Sequence, residues 1–257
     1  MMLTNIELEQ ILDEKLNSKA ISDYAPNGLQ VEGKREIRKI ITGVTASLPL
    51  IEQAVKHHAD AILVHHGYFW KSESPCIRGM KGKRIKQLLT HDINLFGYHL
   101  PLDMHPELGN NAQLAQQLGI QNLTNLEDSP NSVAIYGELA EPISAAALAQ
   151  KLEALLNHQV ILCDEFVAEF PQKPIKTIGI CSGGGQGYID LAATKGLDAF
   201  ISGEISEQTT HSAREQGIYY FGCGHHATER GGVKALGEWL ASQYGLNVEF
   251  IDIDNPA

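Results

Sequence analysis

The feature that most constrains this chain is a strand–helix rhythm that runs through it twice. In the first pass, apolar runs of strand length at 40–45, 61–64 and 94–98 alternate with helix-patterned segments at 49–58, 84–91 and 110–118. In the second, runs at 176–181, 199–202 and 218–222 alternate with helices at 188–195, 206–216 and 233–244, and a last strand follows at 248–253. Strands that alternate with helices build βαβ units and a largely parallel sheet. The spacings repeat as well: Ile41 to Ile62 is 21 residues and so is Ile178 to Ala199; Gly97 to Gly119 is 22 and Gly222 to Gly245 is 23. Gly119 and Gly245 each stand where a helix needs a left-handed cap. The expectation is an α/β fold of two related halves, with mostly parallel strands and a duplicated core.

Three segments fall outside the rhythm. Residues 4–17 have helical apolar spacing, 24–33 are rich in turn formers, and 132–174 read as strand, helix, strand and a loop closing at Pro171 and Pro174. This last stretch is either a small subdomain or an extension of the sheet. The expected division is therefore 1–131, a small central segment 132–174, and 175–257.

Composition narrows the function classes. With 43% hydrophobic residues in 257, the chain can bury a sizeable core. No apolar run reaches the roughly 18 residues of a membrane span. The opening MMLTNIELEQ is acidic, unlike a secretory leader, so cytoplasmic location is expected. A net charge of -11 argues against a broad nucleic-acid-binding surface but allows a local site made positive by metal ions. The four cysteines, Cys76, Cys163, Cys181 and Cys223, form no C-x-x-C pair and read as reduced, mostly core thiols.

In α/β sheets ligands collect beyond the carboxyl ends of the strands. His65-His66 follow one strand, His99 and Asp103 another, and His225 and Glu229 a third. Taken singly, each has an ordinary structural reading: a hydrogen-bonded histidine pair, an N-cap carboxylate, a salt bridge between residues four apart. Taken together they are three histidines and two carboxylates (His65, His66, Asp103, His225, Glu229), an N/O donor set that suits zinc, iron, manganese, cobalt or nickel. Two such ions about 3.5–4 Å apart would activate water at neutral pH. Glu204, at the end of another strand, and His99 are candidates for proton transfer, and His211 for orienting a ligand. By contrast His57-His58, at a helix C-terminus, reads as structural. The glycine run 182–187 is either a close approach to phosphate or a tight turn, and Tyr68, Phe69 and Trp70 either stack on a base or pack their loop.

The segments ADAILVHHG, YHLPLD with the following GNN, SGE, GHHATE and the N-terminal APNGLQVEG resemble the NIF-three-like family, also called GTP cyclohydrolase 1 type 2 homologues. The resemblance spans nearly the whole chain and is closest to the short bacterial type without a large inserted domain. It implies a dinuclear centre with His66 and Asp103 on one ion, His65 and His225 on the other, and Glu229 bridging. It also implies a toroidal homohexamer, a trimer of dimers, and hydrolysis of a nucleotide or related small molecule. The rival readings are a metal-binding scaffold or regulatory protein, and a phosphoesterase acting on nucleic-acid ends.

Overall fold

The runs 40–44 and 178–181 are buried along their whole length, as strands covered on both faces must be. These coordinates are a computed structural model and describe residues 2–168 and 171–257. The chain begins with β1 (Leu3–Thr4), α1 (Asn5–Leu16), β2 (Gly28–Val31), β3 (Glu36–Ile37), β4 (Lys39–Thr45), α2 (Leu48–Lys56), β5 (Ala61–His66), α3 (Gly79–Thr90), β6 (Asn94–Gly97) and α4 (Leu100–Met104). It continues with α5 (Asn110–Leu118), β7 (Ile120–Asn125), β8 (Ile135–Ile143), α6 (Ala145–Leu156), β9 (Ile161–Cys163), β10 (Ile175–Cys181), α7 (Ile189–Thr194), β11 (Ala199–Ser202), α8 (Glu207–Gln216), β12 (Tyr219–Gly222) and α9 (His225–Thr228). It closes with α10 (Arg230–Tyr244) and β13 (Asn247–Phe250).

The helices start and stop where the sequence provides caps. Thr4 accepts the backbone N–H of Glu7 while the Glu7 carboxylate returns to Thr4, a reciprocal capping box at the head of α1. Leu8, Leu12 and Leu16, spaced by four, form its buried stripe. Gly119 follows α5 with φ +77° and Gly245 follows α10 with φ +60°, the left-handed conformation expected of both.

The elements assort into two units. The first is Met1–Gly109 with Arg230–Asp254, and the second is Asn110–Glu229 with Asn255–Ala257. The first holds a five-stranded sheet in the order β13-β4-β5-β6-β2, in which only β2 is antiparallel to its neighbour. The second holds a six-stranded sheet, β7-β8-β10-β11-β12-β9, whose parallel centre is β10, β11 and β12. The segment 132–174 is thus an extension of the second sheet, contributing β8 and β9. Both expected divisions, at 131 and 174, fall inside this second unit.

The repeat shows in the register. Ile41 stands opposite Ile62 in the first sheet, and Ile178 opposite Ala199 in the second. The partition cuts across the repeat, however. Helix α5 and strand β7 follow the first set of strands but belong to the second unit; α10 and β13 follow the second set but belong to the first. Leu114, Ala115 and Leu118 of α5 accordingly pack with Ile175, Ile178 and Ile180, whereas Val233, Leu236 and Leu240 of α10 pack with Leu8, Ile37 and Ile40.

Sequence reading placed the start of α3 five residues late, because Gly79 and Gly82 look like loop, and it did not find β2 or β7. No described helix is long and apolar enough to cross a membrane. All four cysteines are free thiols, with Cys76 exposed and the other three buried.

Candidate metal centre

The first donor set stands at the carboxyl ends of β5 and β6. His65 and His66 close β5, and their rings lie 4.5 Å apart although successive strand residues leave on opposite faces. His99 follows β6, and one nitrogen from each of His65, His66 and His99 falls within 4.8 Å of the others. Asp103 is buried in the short helix α4, with Oδ1 3.5 Å from Nε2 of His65.

Each of these imidazoles is held through Nδ1. His65 donates from Nδ1 to the carbonyl of Tyr98 at 3.0 Å, His66 Nδ1 meets the Thr45 hydroxyl at 3.2 Å, and His99 Nδ1 donates to Asp23 at 3.0 Å. A carbonyl or carboxylate can only accept, so for His65 and His99 a ring proton sits on Nδ1, and in the neutral ring Nε2 carries the lone pair.

Asp23 was not apparent from the sequence, where it is one more polar residue in a turn. Its carboxylate is 2% exposed and also accepts the backbone N–H of Leu100 and the Asn27 amide. Burial opposes its charge, but the His99 hydrogen bond and these donors hold its carboxyl well below the ordinary range. Asn27 in turn accepts the His99 backbone N–H, and Gln30 accepts that of Tyr68. The APNGLQ segment therefore clamps the loops that carry the histidines. Thr45 pairs with His66 by strand register, a signal visible only once the sheet is known.

The second donor set stands at the ends of β11 and β12. His225 opens the four-residue helix α9, and Glu229 caps it rather than lying inside the last helix. The two still meet: His225 Nε2 is 3.3 Å from Glu229 Oε1, and its Nδ1 is 2.7 Å from Glu204 Oε1. The hydrogen bond with Glu229, opposed by burial and aided by Glu204, raises the His225 pKa to about 9. An imidazole held charged between two carboxylates marks a place that favours a cation.

The glycines here answer to close packing. Gly183 has φ +59°, and a Cβ on it would collide with the Glu229 carboxylate. Ser182 N–H donates to Asn111 and Gly183 N–H to Thr228, so these two amides of the 182–187 run serve the turn. The Gly183 carbonyl accepts from Gly203, Glu204 and Ser202.

The remaining sequence candidates sort clearly. His57 pairs with Glu249 at 2.9 Å, a structural role. His211 lies exposed on α8. Tyr68 is buried, donating to the Ala46 carbonyl, and Phe69 packs into the same apolar cluster. Trp70 turns to the histidines, 4.9 Å from His99 and 5.9 Å from His66 between ring centres.

The sequence profile described as Duf34/NIF3 (NGG1p interacting factor 3) matches residues 3–256. The chain is 66% identical over 255 residues to a Haemophilus influenzae protein named GTP cyclohydrolase 1 type 2 homolog, covering 99% of this chain and 100% of that one. An Escherichia coli protein of the same name is 57% identical over 255 residues, with the same coverage of 99% and 100%. Among solved structures, protein ybgI, described as of unknown function, agrees with a TM-score of 0.94 at 57% identity, covering 99% of this chain and 100% of that one. TTHA1606 from Thermus thermophilus agrees with a TM-score of 0.87 at 33% identity, again with 99% and 100% coverage. With donor residues at the strand ends and a match running almost end to end, the chain belongs to the Duf34/NIF3 family.

Proposed function

We propose that this protein is a metal-dependent hydrolase whose substrate is a nucleotide or a related small molecule. The observation that carries this reading is the fixed presentation of the donors. His65 and His225 have Nδ1 engaged by an acceptor-only group, and a carboxylate oxygen stands within 3.5 Å of Nε2 in each case. This is the arrangement that supporting hydrogen bonds give to metal-binding imidazoles. The N/O donors fit a divalent transition ion of the zinc, iron, manganese, cobalt or nickel type.

Following the family pattern, His66 and Asp103 would hold one ion and His65 and His225 the other, with Glu229 available to both. When bound, such a pair of ions polarises an electrophile and lowers the pKa of water toward neutrality. The chain's own contribution is to fix ring orientation through Tyr98, Thr45 and Glu204, and to offer His99, oriented by Asp23, for moving a proton. Glu204 acts through His225 in this reading, as an orienting carboxylate. The relatives' name, GTP cyclohydrolase 1 type 2 homolog, makes a guanine nucleotide the first substrate to try.

The test is metal analysis of purified protein, followed by a screen of the reconstituted protein against nucleotides and phosphoesters with products identified by mass. Two ions per chain and turnover that chelation abolishes would support the proposal. Full metal occupancy with no turnover would favour the scaffold reading. We propose in addition a homohexameric ring, which native mass measurement would decide against if it found a stable monomer at micromolar concentration.

A further inference from the structure

We propose that Tyr24 and Trp70 form a stacking face for a planar heteroaromatic ring of purine size, beside the histidines of the first unit. This builds on the reading of those histidines as the reacting end of the site and names the chemical class that binds next to them.

The two rings come from segments 46 residues apart in sequence and meet with centroids 5.7 Å apart and planes tilted by 37°. Both abut His99 edge-on, Tyr24 at 5.0 Å and 71°, Trp70 at 4.9 Å and 81°. Neither ring belongs to any of the four apolar clusters of the described residues, whereas Tyr68 and Phe69, immediately before Trp70, both do. Tyr24 is 52% exposed. Core packing therefore engages Tyr68 and Phe69, whereas Trp70 and Tyr24 pack on each other and on the histidines, with the Trp70 indole N–H donated to the Gly67 carbonyl at 3.3 Å.

The loop that aims Trp70 is built and strained. Phe69 has φ +65°, a left-handed conformation that a bulky residue adopts only under strain. Its backbone N–H donates to the Glu73 carboxylate at 2.7 Å, Lys81 pairs with Glu73 at 3.4 Å, and the Lys81 ammonium stands 5.0 Å over the Phe69 ring. The Lys71 N–H donates to the Tyr24 carbonyl at 2.9 Å, tying the two aromatic segments together. Backbone strain held by surrounding contacts gathers at ligand-binding places. An indole and a phenol side by side suit a flat π-system, since stacking on aromatic side chains accepts any base and needs no particular hydrogen-bond pattern.

The chain's two tryptophans make the idea measurable, because Trp239 lies elsewhere, against Tyr244 and Lys15. In a Trp239→Phe background Trp70 is the sole indole emitter. Adenosine and guanosine should quench it saturably in both metal-stripped and zinc-loaded protein, while ribose does nothing. Tyr24→Ala should weaken nucleoside binding about tenfold, as loss of one stacking partner does, and Tyr24→Phe should restore it. Equilibrium dialysis of labelled adenosine on the unsubstituted protein gives the same answer if Trp239→Phe does not fold.

Absence of saturable nucleoside binding, unchanged affinity in Tyr24→Ala, or choline binding more tightly than either nucleoside would overturn the proposal, the last by making the face a cation site. Nucleoside binding by a protein that takes up no metal would uphold this inference and sink the hydrolase reading; metal-dependent turnover of a small phosphoester without nucleoside binding would do the reverse.

Discussion

Glu204 places a carboxylate oxygen 2.7 Å from Nδ1 of His225, so Nδ1 carries a proton and the opposite ring nitrogen, Nε2, turns to Glu229 at 3.3 Å. Glu204 is itself held at three points. Its other oxygen accepts from Gln186 at 3.2 Å, its backbone N–H donates to Gly183, and its carbonyl accepts from the Tyr220 hydroxyl.

Glu204→Gln keeps an acceptor for His225 but removes the charge. Metal affinity should fall by about tenfold, within the range for supporting residues of metal-binding histidines, with the fold unchanged by circular dichroism. A chelator competition titration reads this directly. Undiminished affinity in both Glu204→Gln and Glu204→Ala would show that Glu204 supports nothing.

Glu229→Gln and Asp103→Asn separate a bridging carboxylate from a terminal one. If Glu229 bridges, its amide variant loses the negative charge between two cations, and both ions should weaken by more than the 10–100-fold typical of a supporting residue. Asp103→Asn should release mainly one ion. Metal stoichiometry per chain distinguishes them; retention of both ions by Glu229→Gln at native affinity would rule out the bridge.

Gly183→Ala tests the packing under the Glu229 carboxylate. An alanine there faces both a left-handed φ, about 1–2 kcal/mol, and a collision with that carboxylate. Thermal melting should drop, and metal content should drop with it. Gly196→Ala, where φ is also left-handed at +73° but a Cβ meets nothing within 4 Å, is the matched control.

Asp60 and Asp198 give a pH signature of the repeat. Asp60 accepts the backbone N–H groups of Arg38 and Lys39 and pairs with Lys34 at 2.8 Å; Asp198 accepts those of Lys176 and Thr177 and pairs with Lys173 at 2.7 Å. Burial opposes both charges, but these partners hold both carboxyls below their ordinary value. A depressed carboxyl contributes stability that is full above its unfolded pKa, near 3.9, and is lost as pH falls through the folded value. Urea melts should therefore weaken below about pH 4. Asp60→Asn or Asp198→Asn should cost about 1–3 kcal/mol at pH 7 and flatten that acid limb.

Much of this was legible beforehand, for identifiable reasons. The buried parallel strands announce themselves as apolar runs, so Ile41, Ile62, Ile178 and Ala199 lie in register as their spacing implied. The candidate donors His65, His66, Asp103, His225 and Glu229 were legible because they follow apolar strand runs. Strand β2 was hidden because Gly28 and its neighbours read as a turn, and β7 because only Ile120 of its six residues is buried, which leaves no alternation to detect. Asp23 and Thr45 were invisible because their importance lies in partners 76 and 21 residues away. The unit boundaries depend on which sheet each helix packs against, and local pattern carries no trace of that choice.

The exchange of α5 with α10 and of β7 with β13 has a consequence for biosynthesis. A ribosome releases β4 early, yet its parallel edge partner β13 and its covering helix α10 lie about 190 residues later, at 230–250. Until β13 emerges, a long apolar strand waits with an open edge, the condition under which nascent chains pair wrongly. The second sheet is completed by one contiguous stretch, 120–222, whereas the first waits for β13, so the second unit can mature first and a chain stopped at residue 229 is left with its first sheet unfinished.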